Sequence, residues 1–203
     1  MLSLYCERLG PGLLAEPLNA FSNLAFLWAA ALAWRAAGRQ CEQRMLAALL
    51  ALIGLGSGLF HTLATPLAQL CDVLPIAVFQ LAYLYLYLRR VAGLEAGTSA
   101  AWLLFYLIAL LAAGAAPPLW NGSLGYAPAA LALLILGVVH LRLHGRPDVL
   151  HAALLFLVSL LARTVDLLLC PHWALGTHFF WHLLNAALLY RLLAAYRWSC
   201  RAG

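Results

Sequence analysis

Lysine is absent from this chain, and charge of either sign is scarce: twelve arginines and seven acidic residues among 203, or 9%. A soluble domain carries about 25% charged residues. With 66% hydrophobic residues and a mean hydropathy of +0.91, the chain reads as an integral membrane protein. The alternation of apolar and polar positions that a membrane β-barrel needs is missing. No repeat, low-complexity tract or linker divides the sequence, so residues 1–203 are read as one domain. A basic start and a small-residue cleavage site are also missing, so no cleaved signal peptide is expected. The arginines are spread over short separate segments rather than one patch, which argues against nucleic acid as a partner.

What is present is a series of seven apolar windows, at about 19–37, 45–64, 70–89, 100–117, 126–143, 148–169 and 175–197. Each is near the ~20 residues of a spanning helix. The expected fold is an all-α membrane protein, a bundle of seven transmembrane helices. Arg35, Arg39 and Arg44 flank the first connection, Arg89 and Arg90 the third, and Arg142 and Arg146 the fifth. Arg191, Arg197 and Arg201 lie near the C-terminus. The positive-inside rule then puts the N-terminus outside and the C-terminus in the cytoplasm. Arg8 and Arg163 alone break this pattern.

Ionisable groups inside a bilayer are costly and point to function. His178 and His182 stand four apart and share a helix face. Such a pair suits one metal ion, and equally suits two ordinary core histidines. His61, with Ser57 one turn before it, falls at the same predicted outer depth. Ser57 is read either as a site residue or as a serine bonded to its own backbone. Asp72 opens the third helix there, as a cap or as a buried functional carboxylate. Three histidines with one position left open are a catalytic zinc pattern, and no thiolate is among them. His140 and His144 form a second pair, read as interfacial because Arg142 and Arg146 surround them.

Glu7, Glu16 and Asn19, with Asn23 and Ser22, are read either as helix capping or as an oxygen-rich site for a hard cation. Cys6 and Cys170 fall on the same oxidising face and are expected to form a disulfide. Cys41 and Cys200 fall on the cytoplasmic side as free thiols. Arg163 and Asp166, three apart, are expected to pair as an ion pair within the membrane.

Taken together, Tyr5-Cys6-Glu7, Glu16-Pro17-x-Asn19-x-x-Ser22-Asn23, Gly56-Ser57-x-x-Phe60-His61, Asp72-x-x-Pro75, Asp166-x-x-x-Cys170 and His178-x-x-Trp181-His182 resemble the alkaline ceramidase family. That family belongs to a wider superfamily of seven-helix membrane hydrolases that includes adiponectin-receptor-like proteins. The resemblance implies a zinc-dependent amidase that splits ceramide, or a related N-acyl lipid, into a fatty acid and a sphingoid base. It implies zinc at His61, His178 and His182, with Ser57 and Asp72 acting beside the metal. It also implies calcium at Glu7 and Glu16, with Asn19 as a compensating ligand, and a disulfide between Cys6 and Cys170. The calcium segment departs from the family: it is shorter, and apolar around Leu4 and Leu9. The lack of lysine and the wealth of Ala, Leu and Arg suggest a bacterial member, placed in the inner membrane. The alternatives are a seven-helix receptor or sensor with a structural zinc, and a small-molecule carrier using Arg163 and Asp166 as a polar relay.

Overall fold

The computed structural model describes residues 2–202. Among them there is no strand. The helices are α1 (Pro17–Ser22), α2 (Leu24–Ala37), α3 (Cys41–Leu63), α4 (Pro66–Arg90), α5 (Ala96–Ala115), α6 (Ala127–His144), α7 (Asp148–Leu169) and α8 (His178–Ala202). A 3-10 turn at Ser123–Tyr126 leads into α6. A helix lies in every apolar window. Five helices, α3 to α7, are long and apolar enough to cross a membrane, which makes this a membrane protein by length and composition. Helix α8 has 25 residues but carries His178, His182, Asn185, Arg191 and Arg197.

The first window is not the continuous helix expected, for it breaks at Asn23. The cause is local. Ser22 Oγ and Asn23 Nδ2 both donate to the Asn19 carbonyl, at 2.9 and 2.7 Å. In an unbroken α-helix the Asn23 amide would serve that carbonyl. Here it turns to the Ala20 carbonyl instead, at 3.3 Å. Short polar side chains compete with a helix in this way. Even so, residues 17–37 at about 1.5 Å each reach ~31 Å, the thickness of a bilayer core.

Helices α2, α3 and α4 pack in sequence, as do α6, α7 and α8, and α8 closes the ring against α2. Leu46, Leu50, Phe79, Tyr87, Leu188 and Tyr196 fill the centre. Helix α5 stands at the margin, with Ser99 and Tyr106 as its buried residues. Close helix approach depends on small residues, and Gly56 is the tightest case. Pro75 has no N–H to serve the Cys71 carbonyl one turn before it. Gly56 packs directly on that carbonyl, where a Cβ would overlap it. The contact draws α3 and α4 together at Ser57 and Asp72.

The N-terminal segment folds over this end of the bundle. Leu2 N donates to the Ala64 carbonyl at 2.8 Å. Tyr5 packs with Phe60 and Ala68. A disulfide joins Cys6 to Cys170, with Cα atoms 5.4 Å apart. Cys41, Cys71 and Cys200 are free.

Candidate metal centre

His61 comes from the last turns of α3, while His178 and His182 come from the first turns of α8. All three are buried, and one ligand atom from each lies within 4.8 Å of the others. The ring centroids are 5.2 Å apart for His61 and His178, 4.7 Å for His61 and His182, and 4.6 Å for His178 and His182. The structure thus brings together the three histidines that the sequence singled out.

Behind two of the rings stand acceptors that fix the tautomer. His61 Nδ1 lies 2.5 Å from Glu16 Oε2. An ionised carboxylate only accepts, so Nδ1–H donates and Nε2 is the nitrogen left for a metal. Burial opposes the Glu16 charge, yet donors from His61, Arg8 and Asn19 outweigh it and hold the carboxyl below its usual range. His182 Nδ1 lies 2.7 Å from Ser22 Oγ, whose one hydrogen goes to the Asn19 carbonyl. Ser22 therefore accepts from His182, which again frees Nε2. A metal-binding histidine characteristically has its other nitrogen tied in this way. His178 has no such tie: its Nδ1 is buried without a partner. Tyr5 stacks on the His178 ring instead, with centroids 3.6 Å apart and planes 13° from parallel. Burial pushes the Tyr5 phenol up to about 12, against the lowering charge of Arg163, so it stays neutral.

Ser57 and Asp72 meet beside this cluster. The buried Ser57 hydroxyl interacts with the Asp72 carboxyl, which also lies in the fields of His61 and Arg163. Ser57 thus has a side-chain partner, as a site residue would, beyond its own backbone.

The N-terminal acids, expected as calcium ligands, are engaged within the chain. Glu7 accepts the Leu18 and Asn19 amides at 2.7 and 2.9 Å, capping α1. Glu16 holds Arg8, His61 and Asn19 Nδ2. Arg8 also donates to the His61 carbonyl at 2.8 Å. The Arg8 guanidinium thus brings a positive charge to Glu16. The Asn19 side-chain oxygen is left buried without a donor.

The expected Arg163–Asp166 ion pair does not form. Asp166 accepts the Cys6, Thr177 and His178 amides at 2.9, 2.6 and 2.9 Å. It is a cap for α8, well placed for a carboxylate at a helix N-terminus. Gly176, at φ 64°, makes this possible, since a Cβ there would overlap the Asp166 carboxylate. Arg163 turns to the Tyr5 hydroxyl at 2.7 Å.

An apolar cavity runs down the bundle from Trp181 and Tyr126 to Tyr83 and Leu192. Trp181 follows the first histidine of α8 by three residues. From Trp181 to Leu192, at about 1.5 Å per residue, the cavity is ~16 Å deep, close to half a bilayer core. Tyr83 Oη donates to the Leu192 carbonyl at 3.3 Å across its far end.

Three residues of the site escaped the sequence: Tyr5, Ser22 as a histidine acceptor, and Arg8. Arg8 and Arg163 did leave a signal, since they alone broke the arginine pattern. Compared with known proteins, the chain matches no family model, and no curated protein is significantly similar to it.

Proposed function

We propose that this chain is an intramembrane metal-dependent amidase of the alkaline ceramidase kind, acting on an N-acyl lipid. On this reading it crosses the membrane seven times, with the N-terminus outside and α1 and α2 forming one broken span. The observation that carries the proposal is the convergence of three buried histidines with the Ser57–Asp72 pair. Catalytic zinc sites use three histidines, whereas closed structural sites use four protein ligands. The donor chemistry fits such an ion: two imidazoles have Nδ1 tied to an acceptor, leaving Nε2 for the ion, and the third is buried beside them.

When bound at His61, His178 and His182, zinc supplies Lewis acidity toward a carbonyl and makes water a competent nucleophile near neutral pH. The chain's own residues do the rest. Asp72 takes a proton from water and returns it to the leaving nitrogen. Ser57 donates to the carbonyl oxygen as charge develops there, an effect of about 3 kcal/mol in comparable sites. Glu16 and Ser22 hold the imidazoles in register. The apolar cavity takes one acyl chain and excludes water from the reacting bond.

The test is fatty-acid release from a panel of ceramides and other N-acyl lipids in detergent micelles. Wild type should release fatty acid, and His182→Ala should not. Equal release by a metal-free His182→Ala protein would end the reading.

A further inference from the structure

Arg163 is a half-buried arginine with no acid held against it. No carboxylate is in ion-pair contact with Arg163. Its Nη1 donates to Tyr5, and its Nε–H is enclosed without an acceptor. The rings of Tyr5, Tyr126 and Trp181 surround it, with centroids 5.4, 5.2 and 5.5 Å from the guanidinium carbon. Ring faces stabilise a cation, but they give the in-plane Nε–H no oxygen partner. Holding Tyr5 in place uses only one of the five N–H donors.

The position of this side chain says what it faces. Tyr126 and Trp181 line the apolar cavity. Tyr5 covers His178. Asp72 acts on Arg163 through space. The guanidinium therefore stands among the cavity wall, the Asp72 carboxyl and His178. Two parallel N–H groups in a rigid fork match a carboxylate better than any neutral group.

We propose that Arg163 is the carboxylate-binding group of this site, holding a lipid carboxylate beside the histidines. On the amidase reading, that carboxylate has two sources. It is the amino-acid half of an N-acyl amino acid, or it is the fatty acid that hydrolysis releases.

The experiment uses the full chain in detergent micelles with N-oleoylglycine and N-oleoylethanolamine, which differ by a carboxylate against a hydroxymethyl group. Oleate and oleyl alcohol form a second pair. Binding is followed by tryptophan fluorescence, and hydrolysis by oleate release. Wild type should bind at least one charged member about tenfold tighter than its neutral partner, a difference of about 1.4 kcal/mol. Arg163→Gln should remove that preference, and Arg163→Lys should regain part of it. Helicity and bound metal are measured in both variants to confirm that they fold. If the amine half carries the carboxylate, Arg163→Gln raises KM for N-oleoylglycine far more than for N-oleoylethanolamine. If the released acid carries it, oleate inhibition weakens in the variant while the two substrates are treated alike. Absence of hydrolysis in wild type would count against the amidase and leave the binding preference to decide this proposal. Equal binding of charged and neutral partners would overturn it, as would a preference that survives in Arg163→Gln.

Discussion

The two histidine pairs of this chain carry the same sequence signal and meet different fates. His178 and His182 open α8, while His140 and His144 close α6. Their ring centroids are nearly equally spaced, at 4.6 and 4.8 Å. The company they keep is what separates them. The first pair receives His61 from another helix, Ser22 behind one ring and Tyr5 over the other. The second pair receives Tyr87 at 3.0 Å from His140, and the edge of Trp198 against His144. No third histidine, cysteine or carboxylate closes a metal set there among the described residues. His140 is fully buried within the bundle. Spacing makes a pair, but a site needs a third ligand from elsewhere in the chain and acceptors that orient the rings.

The sharpest way to break the comparison is metal analysis. His61→Ala, His178→Ala or His182→Ala should each strip bound metal from the purified protein, whereas His140→Ala should retain it. Metal lost through His140 instead would reverse the assignment of the two ends. Next in size is the disulfide. Cys6→Ser with Cys170→Ser should lower stability by about 2–5 kcal/mol, read as a fall in the detergent unfolding midpoint. No counterpart at the other end should match it. A smaller effect is expected from Glu16→Gln, which removes the carboxylate behind His61. Chelator competition should show metal affinity reduced about 10–100-fold. Ser22→Ala should act in the same direction and less, since a neutral acceptor orients an imidazole more weakly than a charged one. Tyr87→Phe, the equivalent change at the second pair, should leave metal affinity alone; a loss there would erase the distinction.

Helix positions, and the end of the bundle at which each site residue falls, were legible in the sequence, because both follow from length and period. Those two quantities put His61, His178 and His182 at one level, and Cys6 with Cys170. Side-chain partners within a level were not legible. Arg163 and Asp166 share a helix at pairing distance, yet Asp166 has three backbone amides to serve and Arg163 three rings. Backbone donors carry no sequence signature, so a pairing rule based on side chains overlooks them. The break at Asn23 was hidden for a related reason. Two side chains compete for one carbonyl, and hydropathy does not register that competition.

The centre draws on both ends of the polypeptide: Ser22 and His182 meet across 160 positions, and Cys6 and Cys170 across 164. During synthesis, a chain that has emerged as far as α7 holds one of the three histidines and none of the closing contacts. On the proposed reading, a metal ion has no complete seat until the last helix is in place, so loading would follow the folding of α8 rather than guide it. On that reading, a chain cut short before α8 would keep His61 but lack His178 and His182, and would not acquire metal.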